Sequence, residues 1–240
     1  MRATIGAHVS KLNERQNIMA TVNIYRTKLK AASRFMAIND TRYYLNGLLI
    51  ESNELQTRIV ATDGHTMFCG YDDAKGDNVG SFAGIMPADT VKQILAWKAP
   101  YKSANDAPVV LTTCDDPTGE HRAEWCGNVV IFRLIEGKFP DYTRVIPQSV
   151  SGLAGNYNPD YLARCKAAGI DMGAPKMYGI NLTQNGDGPA LVTFSPQAFA
   201  VIMPMRGEPG DIGAAEWARA KLTAEPDYPA LNAERAKAAA

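Results

Sequence analysis

Apolar residues along the chain change repeatedly from the two-residue period of a strand to the longer period of an amphipathic helix. The change occurs three times, and each repeat is predicted as a short strand, a helix and then three further strands. The predicted opening strands and helices are 21–24 and 26–38, 82–86 and 87–97, and 155–158 and 159–168. The strands predicted to follow are 43–50, 58–62 and 66–71; 109–113, 122–126 and 129–134; and 178–183, 190–194 and 198–203.

The predicted boundaries have local physical causes. Pro87 and Pro159 suit the first turn of a helix, because the N–H that proline lacks would have no partner within the helix there. Asn158 can cap the third helix through its side-chain oxygen. Asp63-Gly64 lies between two strand-like runs and indicates a tight turn that needs positive φ. Residues 185–188, with two glycines, predict another turn.

Charge is balanced along the chain, with 25 lysines and arginines against 25 aspartates and glutamates. A high-affinity DNA-binding protein usually has a clear basic excess. Any DNA contact is therefore predicted to be weak or confined to one face. The 240 residues suffice for one or two sizeable cores.

The four cysteines are far apart and form no CxxC pair. With no secretory signal and no apolar run long enough for a bilayer, we expect a cytoplasmic protein with reduced thiols. A zinc site from Cys114, His121 and Cys126 is conceivable, but the spacing is unusual and no fourth ligand is evident. We predict neither a metal nor another cofactor.

Four stretches carry a family resemblance: 41–48, 61–65, 136–147 and 201–206. Together and in this order they closely resemble the bacterial DNA polymerase III beta subunit, the ring-shaped sliding clamp. The resemblance covers roughly residues 19–206 and implies the α+β DNA clamp fold, with helices on one face of antiparallel sheets.

Clamp domains consist of two strand–helix–strand units, so the resemblance divides the chain unequally. It implies a probable N-terminal extension at 1–18, a complete clamp domain at 19–147, a half domain at 148–206, and a partly helical C-terminal extension at 207–240. A lone half domain would expose apolar surface and a sheet edge. We expect a homodimer or higher homo-oligomer to cover it; folding back of 207–240 is the alternative.

On the first predicted helix Arg26, Lys30 and Arg34 follow at i+4 spacing and form one cationic face. Spacing alone is also compatible with an ordinary solvated face. The resemblance implies that this helix faces duplex DNA, and it adds Arg42, Tyr43, Tyr44, Arg164 and Lys166 as contacts. About three neutralised phosphates would give a log–log salt slope near −3, typical of weak, sequence-independent contact.

The resemblance also implies a pocket that holds short, mostly apolar peptides of polymerases and repair proteins. Its predicted residues are Leu45, Thr62, Gly64, His65, Met67, Pro140, Arg144, Val145, Ile202, Met203, Pro204, Met205 and Arg206. Methionine is adaptable and suits exchangeable partners. Thr66 and Met67 replace the arginine and leucine usual in the family, so the pocket's peptide preference is expected to differ.

We therefore predict a sliding-clamp-like processivity factor that contacts double-stranded DNA and recruits polymerases. The alternative is a non-ring regulator or decoy that binds clamp-interacting proteins or a host clamp. An enzyme is disfavoured, because the chain has no nucleophile elbow, no phosphate-binding GxxxxGK[ST] loop and no HExxH pair.

Overall fold

A computed structural model describes residues 18–206, except 75, 115 and 117, together with the single residue 237. The chain divides in sequence between Arg206 and Gly207 into two compact units, and residues 18–206 belong to the first. The predictions for 1–17 and for a helix within 207–240 lie outside the described residues.

Three α-helices and eleven strands make up the described range. The helices are α1 Arg26–Ser33, α2 Ala88–Ala96 and α3 Pro159–Asp171. The strands are β1 Ile18–Ile24, β2 Gly47–Ser52, β3 Gln56–Thr62, β4 Thr66–Asp73, β5 Phe82–Pro87, β6 Val109–Cys114, β7 His121–Trp125, β8 Asn128–Phe132, β9 Asn181–Thr183, β10 Ala190–Ser195 and β11 Ala198–Ile202. Short 3₁₀ helices form at Tyr43–Leu45, Lys102–Asp106 and Tyr142–Val145.

The strands form two antiparallel sheets. One has the order β1-β6-β7-β8 and the other the order β5-β2-β3-β4-β11-β10-β9. In the larger sheet β11 pairs with β4, so that Val201 lies opposite Met67 and Ile202 opposite Thr66. The last repeat is therefore bound to the first through continuous backbone hydrogen bonds.

The main core lies between the helices and the sheets. Leu29 of α1 and Phe35 just after it are fully buried, and Phe35 packs on Phe68 of β4 at 5.7 Å between ring centroids. Phe68 in turn meets Phe194 of β10 at 6.0 Å, which extends the core into the last repeat. A second, smaller core forms where the segment after β8, including Phe139, covers the other face of the larger sheet.

The α+β architecture is confirmed, but three local predictions were wrong. Helix α1 ends at Ser33 rather than near residue 38, because Phe35 donates to the Ala32 carbonyl at 2.9 Å and tightens the last turn. Residues 43–45 form a 3₁₀ turn instead of beginning a strand. Residues 155–158 form no strand, and the backbone oxygen of Asn156 accepts from Met205 N–H at 2.7 Å instead.

Candidate peptide-binding pocket and nucleic-acid face

A mostly apolar cavity of about 210 Å³ opens where four remote parts of the chain meet. These parts are the 3₁₀ turn at 43–45, the β3–β4 turn, the segment 140–145, and the end of β11. The lining residues are Arg42, Leu45, Thr62, Gly64, His65, Thr66, Met67, Pro140, Asp141, Tyr142, Val145, Val201 and Met203.

The β3–β4 turn is held by its own hydrogen bonds. The carboxylate of Asp63 accepts the backbone N–H of His65 at 2.9 Å and of Thr66 at 2.7 Å. The Thr62 hydroxyl donates to the Thr66 carbonyl at 2.7 Å. Gly64 adopts φ of +90°, a conformation that other residues rarely take. Local sequence thus fixes the turn that forms one wall of the cavity.

Helix α3 also contacts this turn. The guanidinium of Arg164 donates to the Asp63 carboxylate and, at 2.6 Å, to the Thr66 hydroxyl. Burial opposes the charged form of Asp63, but bonds from Arg164 and from the turn's own N–H groups outweigh it and lower the pKa of Asp63. Asp63 is therefore held as a carboxylate.

Apolar side chains form the interior of the cavity. Leu45 and Met67 are buried, whereas Val145 is 38% and Met203 36% exposed at its mouth. The backbone N–H of Met203 donates to the carbonyl of His65 at 2.9 Å, which fixes the methionine beside the turn. A cavity with this lining can accept apolar side chains of a ligand and adapt to their shape.

Eight of the thirteen predicted pocket residues line this cavity: Leu45, Thr62, Gly64, His65, Met67, Pro140, Val145 and Met203. Ile202 does not, because it is fully buried in the main core on the opposite face of β11. Four more predicted residues do not line the cavity: Arg144, which precedes Val145, and Pro204, Met205 and Arg206, which follow Met203.

Five lining residues were missed from the sequence: Arg42, Thr66, Asp141, Tyr142 and Val201. The strand period could have identified Val201, since it shares a face with Met203 and not with Ile202.

Arg42 lines the cavity, although it was assigned to DNA. Its guanidinium forms a two-pronged pair with Asp40, with Nη2 at 2.7 Å from Oδ2, and these bonds lower the pKa of Asp40 to about 2. It also lies directly over Gly64, where a Cβ would stand only 2.9 Å from Nη1. Of the adjacent tyrosines, Tyr44 packs against the smaller core, while Tyr43 remains 57% exposed.

All four predicted DNA-contacting arginines have intramolecular partners, and two of them, Arg26 and Arg164, are also partly buried. Arg26 donates through Nη2 to the Trp97 carbonyl at 3.0 Å, at the end of α2, and lies 3.8 Å over the Trp125 ring. Arg164 points to Asp63, as described above. Both guanidinium groups therefore contact packing and turn residues of the protein itself.

Lys30, Arg34 and Lys166 form the more accessible part of the predicted DNA face. Lys30 pairs with Asp171 at 2.9 Å, and Arg34 binds the other oxygen of the same carboxylate. Asp171 lies at the end of α3 and its side chain is only 4% exposed. Lys166 is exposed and makes no ion pair within 18–206 as described. One carboxylate thus offsets part of this cationic surface.

The residues considered for zinc do not come together as a metal site. Within the described residues there is no group of three or more His, Cys, Asp or Glu side chains suited to a metal ion. His121 is buried between Phe82 and Phe132, at ring distances of 6.1 and 5.9 Å. No helix in the part of the chain that the structure describes is long and apolar enough to cross a membrane.

Comparison with known proteins identifies relatives of this chain. The family model of the DNA polymerase III beta subunit, central domain, matches residues 17–141. The beta sliding clamp of Vibrio cholerae is 37% identical over 116 residues, which is 48% of this chain and 30% of the relative. That of Escherichia coli K12 is 32% identical over 124 residues, covering 51% and 31%. The chain thus spans about a third of the length of these relatives.

Solved clamp structures share the fold. The DNA polymerase sliding clamp from Pseudomonas aeruginosa with ligand superimposes with a TM-score of 0.59 at 21% identity, covering 78% of this chain and 66% of that one. The beta subunit from Thermotoga maritima gives 0.63 at 12% identity, covering 80% and 66%. With the match to residues 17–141, which is more than half of the chain, these findings place it in the DNA polymerase III beta subunit family.

Proposed function

We propose that this protein acts as a sliding-clamp-like processivity factor, a non-enzymatic accessory to DNA polymerase. It recruits polymerases and other clamp-binding proteins by holding short, mostly apolar peptides in the cavity. The observation that carries the proposal is the convergence of Leu45, Val145 and Met203, which are far apart in sequence, around one apolar opening.

The size of the cavity indicates the strength of binding. About two apolar side chains fit into 210 Å³. Their burial contributes about 1.5–3 kcal/mol each before the costs of association are subtracted. Together they give about 3–6 kcal/mol, short of the roughly 8 kcal/mol that corresponds to 1 μM, so the expected dissociation constant is weaker than micromolar. Such binding allows partners to exchange.

In this proposal Lys30, Arg34 and Lys166 contact DNA, and the exposed ring of Tyr43 is a further contact. The contact is weak and independent of base sequence, because flexible cations reach phosphates rather than base edges. A homodimer or higher homo-oligomer would surround the duplex and keep the polymerase on it.

One observation favours the second candidate, a regulator that binds clamp-interacting proteins without encircling DNA. Arg26 and Arg164 are used inside the protein, and Asp171 offsets Lys30 and Arg34. The apolar cavity is open to a ligand, whereas the cationic face is reduced. A decoy needs only the cavity.

The test of peptide binding uses a fluorescein-labelled clamp-binding peptide from a bacterial replicative polymerase, followed by fluorescence anisotropy. Met203→Ala is expected to weaken binding about fivefold, because the peptide buries only the exposed third of that side chain, worth about 1 kcal/mol. The matched control is Met177→Ala, whose side chain is 97% exposed and lies outside the cavity. Equal affinity of wild type and Met203→Ala would contradict the assignment of this cavity.

The two candidates differ in mass and in retention on DNA. A processivity factor is expected to form a symmetric oligomer in sedimentation analysis and to stay on circular DNA longer than on linear DNA. A monomer that binds the peptide but leaves both DNAs equally fast would establish the regulator instead.

A further inference from the structure

Helix α3 contacts the wall of the cavity at two points one helical turn apart. Arg164 binds the Asp63 carboxylate and the Thr66 hydroxyl. Tyr161, three residues earlier, stacks on His65 with a centroid distance of 6.2 Å and an angle of 16° between the rings. Residues three apart share a helix face, so both contacts come from one surface of α3.

The turn held in this way supplies much of the cavity. Five lining residues, Thr62, Gly64, His65, Thr66 and Met67, belong to it. The carbonyl of His65 also accepts the N–H of Met203, so a shift of the turn would move the methionine as well. The position of the turn therefore sets both walls of the opening.

The ion pair between Arg164 and Asp63 is well shielded, with side chains 27% and 17% exposed. A charged hydrogen bond in such surroundings is stronger than on an open surface, and loss of one partner leaves a poorly solvated charge. The pair joins residues 101 positions apart and connects α3 to the β3–β4 turn.

Arg164 brings a cation to Asp63 from a different element of the fold. Its Nη1 contacts both the Asp63 carboxylate and the Thr66 hydroxyl, so a single nitrogen joins two residues of the turn.

We infer that Arg164 is a positioning residue of the peptide cavity: by binding Asp63 and Thr66 it holds the β3–β4 turn, so peptide capture depends on α3 being docked there. The inference rests on the proposed function and adds a requirement to it. Arg164 does not itself line the cavity, and it acts on the peptide only through the turn.

The test replaces Arg164 with methionine, which keeps the length of the side chain and removes its charge and donors. Peptide affinity in the anisotropy assay is expected to fall about tenfold, the effect of losing one charged hydrogen bond. Arg133→Met is the matched control, since Arg133 is exposed and its contact with Glu120, at 4.0 Å, lies on the open surface. It should bind as wild type does.

Two further variants separate positioning from general stability. Arg164→Lys keeps the charge and should recover part of the affinity. Thr66→Val removes the second acceptor, and combining it with Arg164→Met should cost less than the product of the two single effects, because both act through one contact.

Hydrogen exchange gives a measurement that needs no peptide. The amides of His65 and Thr66, which donate to Asp63, should exchange faster in Arg164→Met than in Arg133→Met. The inference is overturned if these amides keep their protection, or if Arg164→Met lowers the melting temperature while affinity is unchanged. If the amides exchange faster in Arg164→Met but the wild-type protein does not bind the peptide, Arg164 holds the turn and the proposed function is wrong.

Discussion

Neutralising Asp171 tests the proposed DNA face directly. This carboxylate bridges Lys30 of α1 and Arg34 just after it, and it offsets part of their positive charge. Asp171→Asn keeps the shape and the acceptor oxygen but removes the charge. We expect it to increase DNA affinity, because both cations then become available to phosphates.

The size of the effect follows from counterion release. If Lys30, Arg34 and Lys166 can each neutralise one phosphate and Asp171 cancels one of them, about two contacts remain in the wild type. The log–log salt slope should then change from about −1.8 to about −2.7 when Asp171 is neutralised. Between 50 and 200 mM salt, affinity would fall about 12-fold for the wild type and about 40-fold for the variant.

The assay is anisotropy of a labelled 20–30 bp duplex, an ordinary site length, titrated with protein at several salt concentrations. Asp187→Asn is the control, because Asp187 is an exposed residue in the turn between β9 and β10. Its substitution changes the net charge by the same amount as Asp171→Asn does. A slope that steepens equally in both variants would reflect net charge alone. An unchanged slope in Asp171→Asn would refute the placement of DNA on this face.

Two stability predictions follow from buried groups. Burial lowers the pKa of His121 below its ordinary value of 6.5, so the unfolded chain takes up the proton first and stability should fall as pH drops below about 6.5. His121→Leu should remove that dependence in urea titrations between pH 7 and 5; persistence of the dependence would assign it to another group. Arg26→Met should lower the free energy of unfolding by about 1–3 kcal/mol, since it loses the α2 carbonyls and Trp125. The log–log slope of DNA affinity against salt should stay at the wild-type value in this variant. A shallower slope would show that Arg26 contacts DNA.

Much of the fold was predictable because its signals are local. Pro159 begins α3, and Asn158 caps it by accepting the Asp160 N–H at 2.9 Å, as its position predicted. The Asp63-Gly64 turn joins β3 to β4 as expected. Such boundaries depend on residues within one or two turns of each other, and sequence reasoning handles them well.

The roles of the cations were less predictable, because their partners are remote in sequence. The i+4 spacing places Arg26 and Lys30 on α1 and Arg34 directly after its last residue, but the carbonyls that hold Arg26 come about 70 residues later. Arg164 was assigned outward, yet the carboxylate that it meets is brought near only by the pairing of β4 with β11. Spacing identifies a face and does not identify what covers it.

The pocket contains residues that were predicted and residues that were not. Leu45, Val145 and Met203 were grouped through the family resemblance, and the structure brings them together. Ile202 was included through the same family resemblance, but the alternation of side chains along β11 sends it into the core, away from the cavity.

The pairing of β11 with β4 also determines when the cavity can come into existence during synthesis. β4 leaves the ribosome about 130 residues before its partner, so the nascent chain must wait with an open strand edge until β11 arrives. Closing so long a loop is slow compared with forming the local hairpins of the first repeat. If the cavity binds peptides as proposed, capture becomes possible only when nearly the whole described range has been translated.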